Sequence, residues 1–368
     1  MRKKRNFKLN KTLLIICGII FVTMIVTMFF NEQLNYAFHL KPNLSKIESN
    51  SMQVHFVDTG EGDVILVRLP NNKNLIVDSG KNNYESKIAY YINNVFFNSQ
   101  KERVFDYAIL THSDSDHSGN FLYILNNYQV KNFYRPKIYS KNYDTNYNEN
   151  IDLVIDDANY DEIIKKLNSL KMENKINVFY NFVGAETDEI KEYVTFLSPT
   201  KDNYSDENMY SPYIKLEYKN KSVLLTGDAT TENEIELINT QDFVNIDVLK
   251  LAHHGSNTST SSTFLEFLNP KYAIISCGEN SYGHPSSEVL NNLKNYSEKL
   301  YNNTYSTQNL GNIIYFINED SFSDFLFIKD VSTYIFVDYY YIALGIMGVC
   351  LIIVFFPKYT KNDNKNNV

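Results

Sequence analysis

Read as a string of apolar and polar positions, the chain has a long mixed middle bounded by two uncharged apolar runs. Leu13 to Phe30 carries no charged side chain over 18 residues, and Tyr339 to Phe356 is a second run of 18. At about 1.5 Å of rise per residue, either run would cover roughly 27 Å as a helix, close to the hydrocarbon thickness of a bilayer. Both are therefore expected to be transmembrane helices. A cleaved signal peptide competes for the first run, but the run outlasts a signal core and no small-x-small cleavage site follows within 31–36. A buried core helix competes for the second, against its length and its basic flank.

Between these runs, 31–51 reads as a polar linker, and from Met52 onward short apolar strands alternate with amphipathic helices. Strands are expected at Gln53–Val57, Val64–Leu69, Leu75–Val77, Tyr107–Leu110, Val194–Leu197, Tyr213–Tyr218, Ser222–Leu225, Ile246–Leu251, Tyr272–Ser276 and Asn312–Ile317. Helical periodicity marks Glu85–Val95, Gly119–Asn127, Glu162–Lys171, Thr231–Ile238, Ser262–Phe267 and Ser286–Lys294. Lys141–Tyr160, rich in Asn, Asp and Tyr, reads as a surface insertion. Strand-dense halves with interspersed helices fit two packed sheets covered by helices. The expected organisation is a basic tail and membrane helix over 1–30, a linker over 31–51, a folded domain over 52–330, a second membrane helix over 339–356 and a tail over 357–368.

Charge sharpens this picture. The formal net charge is −8, yet residues 1–30 hold six basic side chains and no acid, and Lys358, Lys361 and Lys365 follow the second apolar run. Positive residues flanking apolar spans stay in the cytoplasm, so both ends predict the same topology, with termini inside and the domain outside. Tyr339, Tyr340 and Tyr341 suit the headgroup layer. The middle is strongly acidic, a poor surface for non-specific binding to phosphate backbones. Cysteine gives no disulfide framework, since Cys17 and Cys350 lie in the apolar ends and Cys277 stands alone in the middle.

Candidate chemistry gathers where apolar strands end. Asp106 to His117 runs from an apolar strand into His112, Asp114, Asp116 and His117, and an extended turn with that spacing directs alternate side chains to one point, as two adjacent divalent ions require. Val223 to Asp228 is a strand ending in Gly-Asp, and Val248 to Ser256 is a strand ending in paired histidines. A Gly-Asp after a strand is usually a turn, and Asp116 alone reads equally as a helix cap. The conjunction argues otherwise, because five of seven histidines, His112, His117, His253, His254 and His284, fall in such segments.

These segments resemble the metallo-β-lactamase superfamily, and most closely the extracytoplasmic hydrolase domain of ComEC-type DNA-uptake proteins. The matching stretches are MQVHFVDTGEGDVIL from Met52, LIVDSG ending at Gly80, LTHSDSDHSGN from Leu110, LLTGDA ending at Ala229, LKLAHHGS ending at Ser256 and YGHP at 282–285. The resemblance implies a four-layer αββα sandwich with metal at the edge between its sheets. It implies Asp116, His117 and His254 as ligands of one metal, His112 and Asp114 for the other, and Asp228 bridging both. Asp78 would orient ligands from behind, and Gly60, Gly62 and Asp63 would form the opening turn beneath the metals. His253 and His284 would line the substrate site.

Two departures from the family pattern stand out. No histidine lies between His117 and His253, which leaves Asn208, Ser211 or water to complete the first metal site, and Glu61 stands where Gln is commoner. One or two ions, Zn²⁺ or Mn²⁺, remain open on this ligand set. The chain also lacks the many spans of a full competence channel.

The expected activity is that of a membrane-anchored, extracytoplasmic, metal-dependent phosphodiesterase or nuclease-like hydrolase. Asp116 or Asp228 would accept the proton of water, and His253 or His284 would stabilise or protonate the leaving oxygen. The expected partners are the membrane and a phosphodiester substrate, nucleic acid among the options. Alternatives are a surface-polymer phosphodiesterase like the phosphorylcholine esterases, or a non-catalytic binding ectodomain.

Overall fold

The structure, a computed structural model, describes residues 11–37, 44–98, 102–242, 245–328 and 339–355. The expected basic tail before residue 11, linker residues 38–43 and the tail 357–368 lie outside the described residues. Two compact units form, one from Ser45–Ser332 and one from both chain ends.

In the larger unit the chain first lays down β1 (Met52–Phe56), β2 (Ile65–Arg68), β3 (Asn74–Val77), β4 (Val104–Ile109) and β5 (Gln129–Arg135). A small parallel ribbon, β6 (Tyr139–Ser140) with β7 (Val154–Ile155), closes off the insertion before β8 (Asn177–Tyr180). The second sheet follows as β9 (Val194–Phe196), β10 (Ile214–Tyr218), β11 (Lys221–Leu225), β12 (Val248–Lys250), β13 (Tyr272–Ile275) and β14 (Thr304–Ser306). The chain then returns to the first sheet as β15 (Asn312–Ile317) and β16 (Ser323–Ile328). The sheet orders are β16-β15-β1-β2-β3-β4-β5-β8 and β14-β13-β12-β11-β10-β9.

Alternation along the strands builds the layers. On β1, Met52, Val54 and Phe56 join Val223 and Leu225 of β11 and Ile313 and Tyr315 of β15 in the core between the sheets. Leu224, one residue out of phase, packs instead with Leu249, Phe264, Leu265, Val289 and Leu293 under the outer helices. On the far side of the first sheet, Phe105 meets Phe97 and Phe133 meets Phe121. This is the expected four-layer αββα sandwich. Strand faces with period 2 can bury both sides only when helices cover the outer ones.

All ten expected strands form, and the pattern missed β5, β6, β7, β8, β14 and β16. On β5, Lys131 and Asn132 interrupt the apolar run, and Lys131 is carried by an ion pair of 2.8 Å to Asp106. The helix expected from Glu162 begins earlier, at Ala158, because the Asp157 side chain caps it by accepting from Tyr160 N. Asp114 to His117 is not the extended turn expected: Ser115–Ser118 is one helical turn, closed by Ser118 N donating to Asp114 O at 2.8 Å.

In the smaller unit, helices Lys11–Ala37 and Tyr339–Phe355 pack on each other. Among the described residues no helix is long and apolar enough to cross a membrane, so the two expected spans are not supported as such. The second helix has 17 residues, and the first is interrupted by non-helical angles at Phe30 and continues into Asn31, Glu32 and Gln33.

The parallel strands share one consequence. β3, β4, β11, β12 and β13 all end on the same rim of the sandwich, followed by Asp78, His112, Asp228, His254 and Ser276.

Candidate metal centre

At this rim, chemistry-bearing side chains from distant segments meet. Asp116, His117 and His254 offer ligand atoms within 4.8 Å of one another, and so do His112, His117 and Asp228. His117 Nε2 lies 3.2 Å from Asp228 Oδ1 and 3.3 Å from His254 Nε2. His254 Nε2 lies 3.4 Å from Asp116 Oδ2 and 3.4 Å from Asp228 Oδ2. Asp114, half exposed, reaches His112 Nε2 at 3.5 Å. The six expected ligands are thus gathered in one place, with Asp228 facing both clusters.

The other nitrogen of each imidazole is anchored. His117 Nδ1 donates to Asp78 Oδ2 at 2.7 Å, and His254 Nδ1 donates to the Ser276 carbonyl at 2.8 Å. His112 Nδ1 donates to Thr111 Oγ1 at 3.0 Å, and that hydroxyl donates to Asp78 Oδ2 at 2.8 Å. Asp78 also accepts from Thr111 N, so one buried carboxylate orients two imidazoles. With each Nδ1 used as donor, the Nε2 lone pairs point at the centre. Two such lone pairs 3.3 Å apart repel unless a cation or a proton lies between them.

Backbone geometry brings the ligands this close. His253 and His254 follow β12 in left-handed conformation, at φ 49° and 54°. Such strain in β-carbon-bearing residues persists only where the surroundings impose it. Gly62, at φ +85°, sits where a Cβ would overlap the Asp116 carbonyl. Asp63 N donates to that carbonyl at 3.2 Å, which seats the opening turn directly beneath Asp116.

The electrostatics agree with the geometry. Burial opposes charge on Asp116 and Asp228, but His117 and His254 outweigh it and hold both carboxyls well below their usual range. Burial likewise opposes charge on His254, yet Asp228 and Asp116 push its pKa up to about 10. His117 is raised too, by Asp228 and Asp78 against its burial. His253 and His284 move down, through burial and the neighbouring imidazoles. They line a cleft of about 210 Å³ over the centre, together with Lys81, Glu61 and Tyr282. Tyr282 is 72% exposed and stacks on His284 at 5.9 Å.

Two residues beside the centre take places that the sequence reading did not assign to them. Ser211 Oγ accepts from Asp228 N at 3.1 Å and lies 3.3 Å from His112 Nδ1, so it supports both from behind. Lys250 is fully buried beneath the centre, ion-paired with Asp63. The charge at 250 interrupts the apolar VLKLA run, a visible signal, whereas Ser211 was offered only as one way to complete the first metal site, and nothing in the sequence marked its contacts to Asp228 and His112.

Residues 57–279 match the family profile described as the metallo-beta-lactamase superfamily. The chain belongs to that superfamily. Among curated relatives, it is 29% identical over 262 residues to ComE operon protein 3 of Bacillus subtilis (strain 168), covering 68% of this chain and 31% of that protein. It is 29% identical over 272 residues to Recombination protein 2 of Haemophilus influenzae, covering 72% of this chain and 29% of that protein. The chain therefore spans about a third of the length of these ComEC-type competence proteins. Among solved structures, the metallo-beta-lactamase fold protein YhfI from Bacillus subtilis aligns with a TM-score of 0.40 and 12% identity, over 69% of this chain and 95% of that one.

Membership implies a divalent metal, typically zinc, and the residues present fit one. Among the described residues, buried His112 Nε2 and Asp228 Oδ1 have no hydrogen-bond partner, and both face the cluster of imidazole and carboxylate atoms. An imidazole and carboxylate donor set of this kind suits Zn²⁺ or Mn²⁺.

Proposed function

We propose that this protein is a divalent-metal-dependent phosphodiesterase, nuclease-like in its substrate and held at the cell membrane with its centre outside the cytoplasm. The observation that carries the hydrolytic part is the convergence of His117 Nε2 and His254 Nε2 on the two oxygens of Asp228. Asp116, His117 and His254 would hold one ion, His112 and Asp114 another, with Asp228 shared. A bound divalent cation there would supply Lewis-acid polarisation of a phosphoryl oxygen and a water acidic enough to react near neutral pH.

The chain's own groups divide the remaining work. Carboxyls held as low as Asp116 and Asp228 are poor proton acceptors and good carriers of fixed charge. His253, neutral near pH 7, is the better base. Its Nε2 lies 3.7 Å from Asp228 Oδ2, which would stabilise the imidazolium formed when it takes a proton. His284, beside it at 5.5 Å between rings and also shifted toward its neutral form, would stabilise charge on the leaving oxygen through a ring N–H hydrogen bond. Tyr282 and Lys81 would position the substrate at the mouth.

Membrane attachment rests on the paired end helices. Both leave large apolar side chains exposed, among them Ile15, Ile19, Phe29, Ile342 and Ile346. A helix shorter than the hydrocarbon core is accommodated by local thinning and by flanking basic residues that reach the interface. The basic residues at both ends support a topology with the termini in the cytoplasm.

A second reading is hydrolysis of surface polymers bearing small cationic head groups. The acidic middle of the chain and Glu61 at the cleft favour it. The deciding experiment supplies the purified full-length chain in detergent with Zn²⁺ or Mn²⁺. It is then offered bis-p-nitrophenyl phosphate, single-stranded DNA, RNA and a choline-bearing teichoic polymer. Nucleic-acid cleavage that stops with chelator is the expected result. Cleavage of the polymer alone selects the second reading, and inactivity without bound metal selects a non-catalytic ectodomain.

A further inference from the structure

Lys250 is the only lysine wholly buried among the described residues, and the carboxylates of Asp63, Asp228 and Asp78 stabilise its charge. Its ammonium is ion-paired with Asp63, itself fully buried, and donates to the Gly227 carbonyl at 3.1 Å. Each contact leads to a different part of the centre. The Asp63 backbone N holds the Asp116 carbonyl. Gly227 precedes Asp228, and its carbonyl also accepts from His253 N at 3.1 Å. Lys250 itself ends β12, three residues before His253 and four before His254.

Asp63 has the makings of a rival ligand. Its carboxylate lies within 4.8 Å of ligand atoms of Asp228 and His254, and its Oδ1 is 3.9 Å from His254 Nδ1. A freed Asp63 carboxylate would compete with the Ser276 carbonyl for the His254 Nδ1 proton. The ring would then turn, and Nε2 would leave its place opposite His117.

We infer that Lys250 is a positioning residue for the metal centre: a protein-borne cation that keeps Asp63 out of the ligand set and locks the Asp63, Gly227–Asp228 and His253–His254 segments in register. This rests on the proposed reading of the centre as a divalent-metal site, and the outcomes below separate the two. Groups that orient ligands from behind typically contribute 10- to 100-fold in metal affinity.

The test titrates Zn²⁺ into metal-stripped full-length protein against a chromophoric chelator. Lys250→Met is expected to bind about 10- to 100-fold more weakly than wild type. Tyr91→Phe, which removes a buried hydroxyl bonded to His55 away from the centre, is expected to lower stability and leave Zn²⁺ affinity unchanged, so affinity reports positioning and not general loosening. If Lys250→Met does not fold, Asp63→Asn combined with Lys250→Met removes both buried charges together. That pair is expected to fold and still bind more weakly, since the Gly227 carbonyl keeps only His253 N as donor and the lysine no longer ties it to the Asp63 segment. Wild-type affinity in either folded variant overturns the inference. Equal weakening in Tyr91→Phe also overturns it, and no Zn²⁺ binding by the wild type overturns the metal reading beneath it.

Discussion

His55 and His254 are both buried, at 1% and 7% exposure, yet their electrostatics are opposite. His55 lies on the outer face of the first sheet, bonded to the Tyr91 hydroxyl at 2.9 Å and edge-on to Phe96. Burial, with Arg68 nearby, pushes its pKa down to about 3. His254 meets Asp116 and Asp228, and its pKa rises to about 10. Burial alone yields a neutral packing imidazole. The company of carboxylates is what makes a place for positive charge, whether proton or metal ion.

The largest effects should separate these two regions by function. Asp116→Ala or His254→Ala is expected to reduce turnover of bis-p-nitrophenyl phosphate on the order of 10³-fold, with circular dichroism unchanged. His55→Asn is expected to lower unfolding free energy by about 1–3 kcal/mol while folded enzyme keeps its turnover. Loss of metal from His55→Asn, or full activity in His254→Ala, would erase the distinction.

A smaller effect should appear in how stability depends on pH, measured by urea midpoints on metal-stripped protein. As pH falls from 6.5 towards 3, the unfolded chain protonates His55 and the folded chain does not, so stability should drop by up to about 1.4 kcal/mol per pH unit. As pH rises from 6.5 towards 10, folded His254 keeps a proton that the unfolded chain has lost, so stability should drop on that side as well. His55→Asn should flatten the acid limb only. An unchanged acid limb in that variant would show that His55 does not remain neutral when buried.

The smallest effect belongs to the cleft mouth. Lys81 and Glu61 form a partly exposed ion pair, a type that contributes about 0–1 kcal/mol. Lys81→Met should therefore leave the melting temperature nearly unchanged and raise KM a few-fold for an anionic substrate. A collapse in kcat would move Lys81 from the mouth into the reacting centre.

Much of this was legible in the chain itself. Short apolar runs marked β1, β10 and β11, the strand-end segments held all six expected ligands, and the family resemblance added Asp63 and Asp78. Those readings depend on local steric preference and on which side chains can bind a cation, both properties of short stretches. Tertiary structure decided the rest. β5 forms although Lys131 and Asn132 break its pattern, because β4 and β8 satisfy its backbone on both sides. Asp116 and His117 reach the centre from one helical turn, a choice made by the Gly62 turn pressed against the Asp116 carbonyl. Ser211 and Lys250 gained their places only when the ends of parallel strands in two sheets came to one rim. Spacing along a chain specifies which groups can face the same way. Which buried charges meet depends on long-range packing, where each must find a partner or forfeit its solvation.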